Sequence, residues 1–198
     1  MKFETKRLIL RKPRISDWKD IVKGVGEISV SKSMSVIPYP YLKKNALMWI
    51  KKYIKDWEKK KGNEFLIELK ENKKVVGCIS LIGVDKFNGT AGTGSWINKR
   101  YWRKGYITEA KIAVNNFAFN RLKLRKLDSK VFTDNLASNK TQQSMGYKLE
   151  GCRKKGTRSK ATGKIHDVNI YGLFKENWKK NLLKIKKKLN EKIKKLEK

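Results

Sequence analysis

The residues best suited to hold an anionic ligand form a short turn between an apolar segment and a helical one. Ser95-Trp96-Ile97 is typical of the end of a strand, and the run from Trp102 to Ala110 (WRKGYITEA) then opens a helix. Such a turn presents backbone N–H groups at the positive end of a helix dipole, where phosphate binds without a metal. Gly105 lets the backbone approach a ligand closely, and Arg103 and Lys104 add positive charge. The sequence predicts a polyphosphate site here, although an ordinary turn in a lysine-rich chain would look similar. The residues expected to line the site are Trp96, Ile97, Asn98, Arg103, Lys104, Gly105, Tyr106, Ile107 and Thr108.

Two common phosphate motifs do not describe this turn. The P-loop pattern G-x-x-x-x-G-K-[ST] is absent, and the dinucleotide fingerprint G-x-G-x-x-G does not match. The turn instead resembles the pyrophosphate loop of GNAT acetyltransferases, a Q/R-x-x-G-x-G/A pattern that opens a helix. Gly105 holds the first glycine position, while Trp102 and Ile107 stand where that family usually has Gln or Arg and Gly or Ala.

Later segments resemble one branch of the same family, the ribosomal-protein N-acetyltransferases. They are Asp134–Asn139 (DNLASN), Met145-Gly146-Tyr147, Leu149-Glu150-Gly151 and His166–Tyr171 (HDVNIY), in the branch's order and spacing. The resemblance covers about residues 3–178. It implies a GNAT fold, acetyl-CoA as acetyl donor with no metal, and the N-terminal α-amine of a protein, ribosomal or similar, as acceptor. The alternatives are a GNAT-like protein that binds RNA or ribosomes with little catalysis, or an acetyltransferase for small amines.

Asn135 and Ser138 are the residues of this second region expected to act on the ligand. The amide of Asn135 can hold backbone groups or the pantetheine arm, or it is simply a turn residue. Ser138 is either an N-cap, which would stabilise its helix by about 1 kcal/mol, or a hydrogen-bond donor to the departing thiolate.

The sequence leaves several candidates for the group that accepts the amine proton. The family often places a glutamate in an A-E-x-G context, and this chain has Ala91-Gly92-Thr93-Gly94 there. The remaining candidates are Glu68, His166 and Asp167, or a chain of water molecules, since an α-amine with a pKa near 8 is already partly neutral. A backbone N–H near Ser95–Asn98 is the expected oxyanion donor.

Hydrophobic periodicity predicts the elements that position these residues. The order is a strand over 6–12, two helices with the second over 43–60, three strands, a helix, a strand, a short helix and two strands. This is an α+β fold with a single mostly antiparallel mixed sheet flanked by helices. We expect an acetyltransferase domain over 1–177 and a Lys-rich helical tail over 178–198. The apolar stripe of the tail would pack on its own domain, pair with a second copy, or belong to an arm that binds polyanions.

Charge is the dominant feature of the composition. The formal net charge is +32, which favours a polyanionic partner such as RNA or a ribosome, or reflects a lysine-rich proteome. Only nine of the 50 basic residues are arginine, whereas base-reading proteins usually rely on Arg. Two isolated cysteines and one histidine argue against a disulfide scaffold or a metal site. No signal segment or membrane span is apparent, so we expect a cytoplasmic protein. We expect it to be a monomer or a homodimer.

Overall fold

The computed structural model describes residues 2–59 and 63–197. Eight strands and six helices follow one another along this part of the chain. In chain order they are β1 Phe3–Glu4, β2 Leu8–Arg11, α1 Trp18–Val25, α2 Ile28–Ser31, α3 Lys43–Glu58, β3 Glu64–Leu69, β4 Val75–Asp85, β5 Thr90–Ile97, α4 Tyr106–Asn116, β6 Lys126–Phe132, α5 Leu136–Ser144, β7 Lys148–Arg158, β8 Ile165–Phe174 and α6 Lys175–Leu196. None of the helices described is both long and apolar enough to cross a membrane.

The strands form one mixed sheet in the order β1-β2-β3-β4-β5-β6-β8-β7. The pairs β1/β2, β2/β3, β3/β4, β6/β8 and β7/β8 are antiparallel, and β5/β6 is parallel. The predicted α+β class and the mostly antiparallel sheet are therefore confirmed. The parallel pair arises because α4 connects β5 to β6, as a crossover connection requires.

The chain divides into two compact units, each built from separate segments. The first comprises the chain up to Ser80 together with Ser95–Trp102 and Ser159–Lys164. Its core lies where α1 and α3 cover β3 and β4, and it includes Ile21, Val25, Ala46, Ile50, Leu66 and Cys78. These residues recur with helical and strand periodicity, which is why the sequence pattern locates these elements correctly.

A buried ion-pair cluster joins the first elements of this unit. The Arg11 guanidinium donates to both carboxylate oxygens of Asp17, at 2.9 and 2.8 Å, and its Nε donates to Glu68 at 2.6 Å. Asp17 also accepts from the Arg14 N–H at 2.6 Å and ends a 3-10 turn over Ile15–Asp17. Asp17 is also the N-cap residue of α1, so these contacts link β2, β3 and the start of α1.

The second unit comprises Leu81–Gly94, Arg103–Arg158 and the chain from Ile165 onward. Its helix α4 begins at Tyr106 and continues as a π-helical turn over Phe117–Arg121. Predicted α5 is confirmed, and Gly146 ends it with φ +88°, a conformation that suits glycine. Predicted helix α3 ends at Glu58, and residue 60, its expected end, lies outside the described residues.

The C-terminal helix α6 begins at Lys175 and buries its apolar stripe. Trp178, Ile185, Leu189 and Ile193 are all buried. The Trp178 indole donates to Asn116 Oδ1 at 2.9 Å, and its ring lies 6.4 Å from Phe119. Of the three alternatives for the stripe, packing within the chain is the one observed. The division of the chain at residues 177 and 178 stays a prediction.

Candidate active site

The predicted phosphate turn is built around two residues in the left-handed region. Gly105 is the N-cap of α4 with φ +80°, and Arg103, which carries a Cβ, has φ +61°. A non-glycine residue in this region costs free energy and tends to be found where function requires it. Lys73, Lys123 and Lys155 also have a positive φ, so the conformation of Arg103 shapes the turn without by itself marking a ligand site.

Helix α4 presents its first N–H groups at this turn. Its first helical hydrogen bond runs from the Glu109 N–H to the Gly105 carbonyl, at 3.0 Å. The N–H groups of Ile107 and Thr108, which precede Glu109 in the first turn, have no acceptor inside the helix. Thr108 lies in the first turn of α4 and is not its cap, because Gly105 occupies the N-cap position. The arrangement places helix-end N–H groups beside the exposed side chains of Arg103 and Lys104.

Trp96, Ile97 and Asn98 belong to the first unit, whereas the other predicted site residues belong to the second. Trp96 packs on the core of the first unit, where a Cβ at Gly24 would come within 2.5 Å of its ring. The Ile97 carbonyl accepts the Trp102 indole N–H at 2.7 Å. These three residues therefore fix the end of β5 and the start of the turn.

Asn98 is not the oxyanion donor. Its N–H donates to the Val76 carbonyl of β4 at 2.8 Å, and its side chain accepts the Arg100 N–H at 3.0 Å. Because N–H groups alternate in direction along a strand, those of Ser95 and Ile97 point away from β4. The described pairing of β5 with β6 ends at Thr93 and Ser129, although β5 continues to Ile97 and β6 to Phe132. Ser95 and Ile97 are thus the better oxyanion donors of the predicted segment.

Asn135 and Ser138 lie together in the first turn of α5. Asn135 is the N-cap, and its Oδ1 accepts the Ser138 N–H at 3.1 Å. The alternative of Ser138 as the cap is therefore wrong, since Ser138 is the third residue of the helix. Its half-buried hydroxyl makes no hydrogen bond within the described part of the chain. That hydroxyl is available to a ligand, as is the Asn135 amide nitrogen.

Asn139, which carried little weight in the sequence, proves to be the residue that holds this turn in place. Its amide nitrogen donates to the carbonyls of Phe132 and Asn135, both at 2.9 Å. Its oxygen accepts from the Tyr171 hydroxyl at 2.8 Å and from Asn169 Nδ2 at 2.9 Å. The only signal for it in the sequence was its place in the DNLASN run.

His166 is a buried residue at the start of β8. Its ring stacks on Phe132, with centroids 4.0 Å apart and planes at 5°. Nδ1 lies 3.2 Å from the Asp134 carboxylate, and the buried Nε2 has no hydrogen-bond partner among the described residues. When Nδ1 carries the proton and donates to Asp134, Nε2 presents a lone pair. This is the arrangement of a base oriented by a carboxylate.

The other two predicted bases are engaged elsewhere. Glu68 is buried and bonded to Arg11, so it is a structural ion-pair partner. Asp167 accepts from the Lys155 N–H at 2.7 Å and from Lys154 Nζ at 3.0 Å, and these contacts hold its pKa below the usual value. Neither carboxylate is suited to take a proton from an amine at neutral pH.

A carboxyl group that the sequence did not single out lies in the first unit. Glu64 is the first residue of β3, pairs in register with Ser80, and is buried. Burial raises the pKa of Glu64 to about 7, so this group can exchange a proton near neutral pH. No sequence pattern could have revealed this, because the shift depends on what covers the side chain.

Comparison with known proteins agrees with this geometry. Residues 7–148 match the model of the acetyltransferase (GNAT) domain. The chain belongs to the GNAT acetyltransferase family. It is 28% identical to the uncharacterized N-acetyltransferase p20 of Bacillus licheniformis, over 88% of this chain and 96% of that protein.

More distant relatives include an enzyme named for its ribosomal substrate. Identity to the ribosomal-protein-serine acetyltransferase of Escherichia coli (strain K12) is 30%, over 50% of this chain and 54% of that protein. The fold matches the microcin C7 self-immunity acetyltransferase MccE, solved in complex with acetyl-CoA and AMP. The TM-score is 0.74 at 23% identity, with 86% of this chain and 93% of that chain covered. This GNAT protein is therefore an N-acetyltransferase by family, with the family's sheet.

Proposed function

We propose that this GNAT enzyme transfers the acetyl group of acetyl-CoA to the N-terminal α-amine of a protein, a ribosomal protein or one with a similar N-terminus. The observation that carries the donor half is the α4 N-terminus, where the left-handed Arg103 and Gly105 precede helical N–H groups without an intrahelical acceptor. This end of a helix suits the pyrophosphate of coenzyme A. The MccE structure, which contains acetyl-CoA, supports the same donor.

The acceptor half of the proposal is supported by the relatives and by charge. One relative is named a ribosomal-protein-serine acetyltransferase, and the chain resembles that branch in its DNLASN and HDVNIY segments. A small polycationic amine is a poorer candidate, because a protein of net charge +32 repels it at long range. Acetyl-CoA and newly made ribosomal proteins meet in the cytoplasm, and we place the enzyme there.

Each residue of the candidate site has its own role in the proposed acetyl transfer. The Ser138 hydroxyl donates to the coenzyme A thiolate as it leaves, and the Asn135 amide nitrogen holds the pantetheine arm. A β5 backbone N–H, of Ser95 or Ile97, stabilises the oxyanion of the tetrahedral intermediate. The amine proton goes either to His166 Nε2 or to a chain of water molecules.

A turnover assay tests the function. The substrates are acetyl-CoA and peptides that begin with Ser, Ala, Thr or Met, and the product is released coenzyme A. We expect turnover of at least one peptide and none of the same peptide with a blocked N-terminus. Equal turnover of a lysine side chain or a polyamine would contradict the α-amine proposal.

Two further measurements test the donor site and the base. Calorimetry in EDTA should show acetyl-CoA binding to the wild type, because the site uses N–H groups and no metal. Gly105→Val should weaken that binding sharply, since a branched side chain obstructs the turn and disfavours its positive φ. The pH profile of kcat/KM then tests the base: the acidic limb should disappear in His166→Gln, and its persistence would leave water as the proton acceptor.

A further inference from the structure

The solvent face of α6 carries a large, uncompensated positive charge. The helix Lys175–Leu196 contains ten lysines and two glutamates. No ion pair joins any of these lysines to a carboxylate in the described structure. The two glutamates, Glu176 and Glu191, leave a net charge of +8 on the helix. The charge is therefore available to a partner.

The packing of α6 limits what that partner can be. A helix that inserts into a membrane surface or forms a coiled coil does so with its apolar face. The apolar stripe of α6 is already buried, with Trp178, Ile185, Leu189 and Ile193 inside the protein. Apart from Leu183 and Leu196, the outward surface of α6 offers only polar and charged side chains. Association through this surface has to be electrostatic.

Three lysines form a row on that surface. Lys180, Lys184 and Lys187 are exposed and are spaced four and three residues apart, so they lie on one side of the helix. At 1.5 Å per residue, their Cα atoms are separated by about 6 Å and about 4.5 Å along the axis. Successive residues of an α-helix are rotated by about 100° around its axis, which puts Lys180 and Lys187 roughly opposite the buried stripe. We call Lys180, Lys184 and Lys187 the lysine row.

We propose that the lysine row binds the phosphate backbone of RNA without sequence preference and thereby docks the enzyme on RNA-rich surfaces. Lysine is a flexible point charge that suits phosphate contacts, whereas base reading relies on the planar fork of arginine. No arginine occurs in α6. A continuous polyanion satisfies several neighbouring lysines at once, which isolated acidic side chains cannot do. The proposal stands independently of the acetyl transfer.

The test compares two variants with the same change in net charge. The first replaces Lys180, Lys184 and Lys187 by Gln. The control replaces three lysines of α3 by Gln. These are Lys44, Lys51 and Lys55, which are exposed and belong to the first unit. Binding of the full-length proteins to a fluorescein-labelled single-stranded RNA of mixed sequence is measured by anisotropy over a range of salt concentrations. Melting temperatures and peptide turnover of all three proteins are recorded in parallel.

The expected salt dependence of RNA binding follows from counterion release. Each phosphate contact on a single strand contributes about 0.7 to the slope of log K against log salt concentration. Loss of the lysine row should lower the slope by about 2, and the control should lower it by less than about 1. A triple Lys→Arg variant of the row should bind as the wild type does. Turnover of peptides should be unchanged in every variant. Loss of RNA binding therefore tests the docking proposal alone, and absence of turnover in the wild type tests the acetylation proposal alone.

Three outcomes would overturn the proposal. If both triple Gln variants lose affinity equally, net charge and not the row is responsible. If the wild type shows no RNA binding at about 150 mM salt, the charge serves solubility alone. If the row variant instead loses binding to vesicles of phosphatidylserine and phosphatidylcholine while RNA binding persists, the partner is an anionic membrane.

Discussion

The Asn135 side-chain oxygen accepts the Ser138 backbone N–H at 3.1 Å. This contact assigns the capping of α5 to Asn135 and leaves Ser138 for the proposed interaction with the thiolate. Asn135 is the N-cap of α5, and Ser138 lies three residues later, inside the helix. The Ser138 hydroxyl makes no hydrogen bond within the described structure. A side chain that is half-buried, polar and without a structural partner is one whose removal should affect chemistry more than stability. The contact therefore makes the two residues separately testable.

Ser138→Ala should lower kcat with little change in acetyl-CoA affinity. The hydroxyl is proposed to donate to the leaving thiolate, an interaction that strengthens only as the thioester breaks, and such donors contribute about 10²-fold. The melting temperature should stay close to that of the wild type, because the α5 cap is intact. Steady-state kinetics, calorimetry and a thermal melt measure the three quantities. A normal kcat would remove Ser138 from the mechanism.

Asn139→Leu should destabilise the protein by about 3 kcal/mol, because buried partners in β6, α5 and β8 lose their hydrogen bonds at similar side-chain volume. It should also raise KM for acetyl-CoA, since Asn139 holds the turn that carries Asn135 and Ser138. Tyr171→Phe is the control: it deletes only the hydroxyl that donates to Asn139 and should cost no more than about 1.5 kcal/mol. Urea unfolding measures both. Equal losses would show that Asn139 does no more than partner Tyr171.

Arg11→Met should be strongly destabilising, by about 3–5 kcal/mol. The substitution leaves the Asp17 and Glu68 carboxylates buried together with no cation, since the side chains of both are only 6% exposed. The control is Arg121→Met, which removes the same charge from an exposed position. Chemical denaturation gives both free energies of unfolding. If Arg11→Met resembled the control, the carboxylates would have to be protonated or reached by water.

The sequence predicted most of what depends on local pattern. The helix α3 and the stripe of α6 follow from periodicity, and the turn at Gly105 follows from a glycine between a strand and a helix. What it could not predict are contacts between distant positions. Glu68 looked like a free carboxylate because its partner, Arg11, lies 57 residues away, and the role of Asn139 depends on residues of β8. The proton acceptor stayed open for the same reason, because His166 is oriented by Asp134, which lies 32 residues away in the chain.

A buried lysine should give the protein a stability that rises with pH in the alkaline range. Lys111 on α4 has no carboxylate partner in the described structure: its Nζ donates to Gln142 Oε1 at 3.2 Å and lies 5.6 Å from the Tyr147 ring centroid. Burial lowers the pKa of Lys111 to about 8 from the usual 10.5. Between these values the unfolded chain binds more protons than the folded protein, so the contribution of this residue to folding free energy increases as pH rises from about 8 to 10.5.

Lys111→Met should remove that increase. The measurement is the melting temperature of the wild type minus that of the variant, followed from pH 7.5 to 10, a difference in which the many exposed lysines cancel. We expect the difference to move in favour of the wild type as pH rises through this range. Lys140→Met, at an exposed position on α5, is the matched control and should give a constant difference throughout. A constant difference for Lys111→Met as well would mean that the Lys111 ammonium is solvated well enough to keep its ordinary pKa.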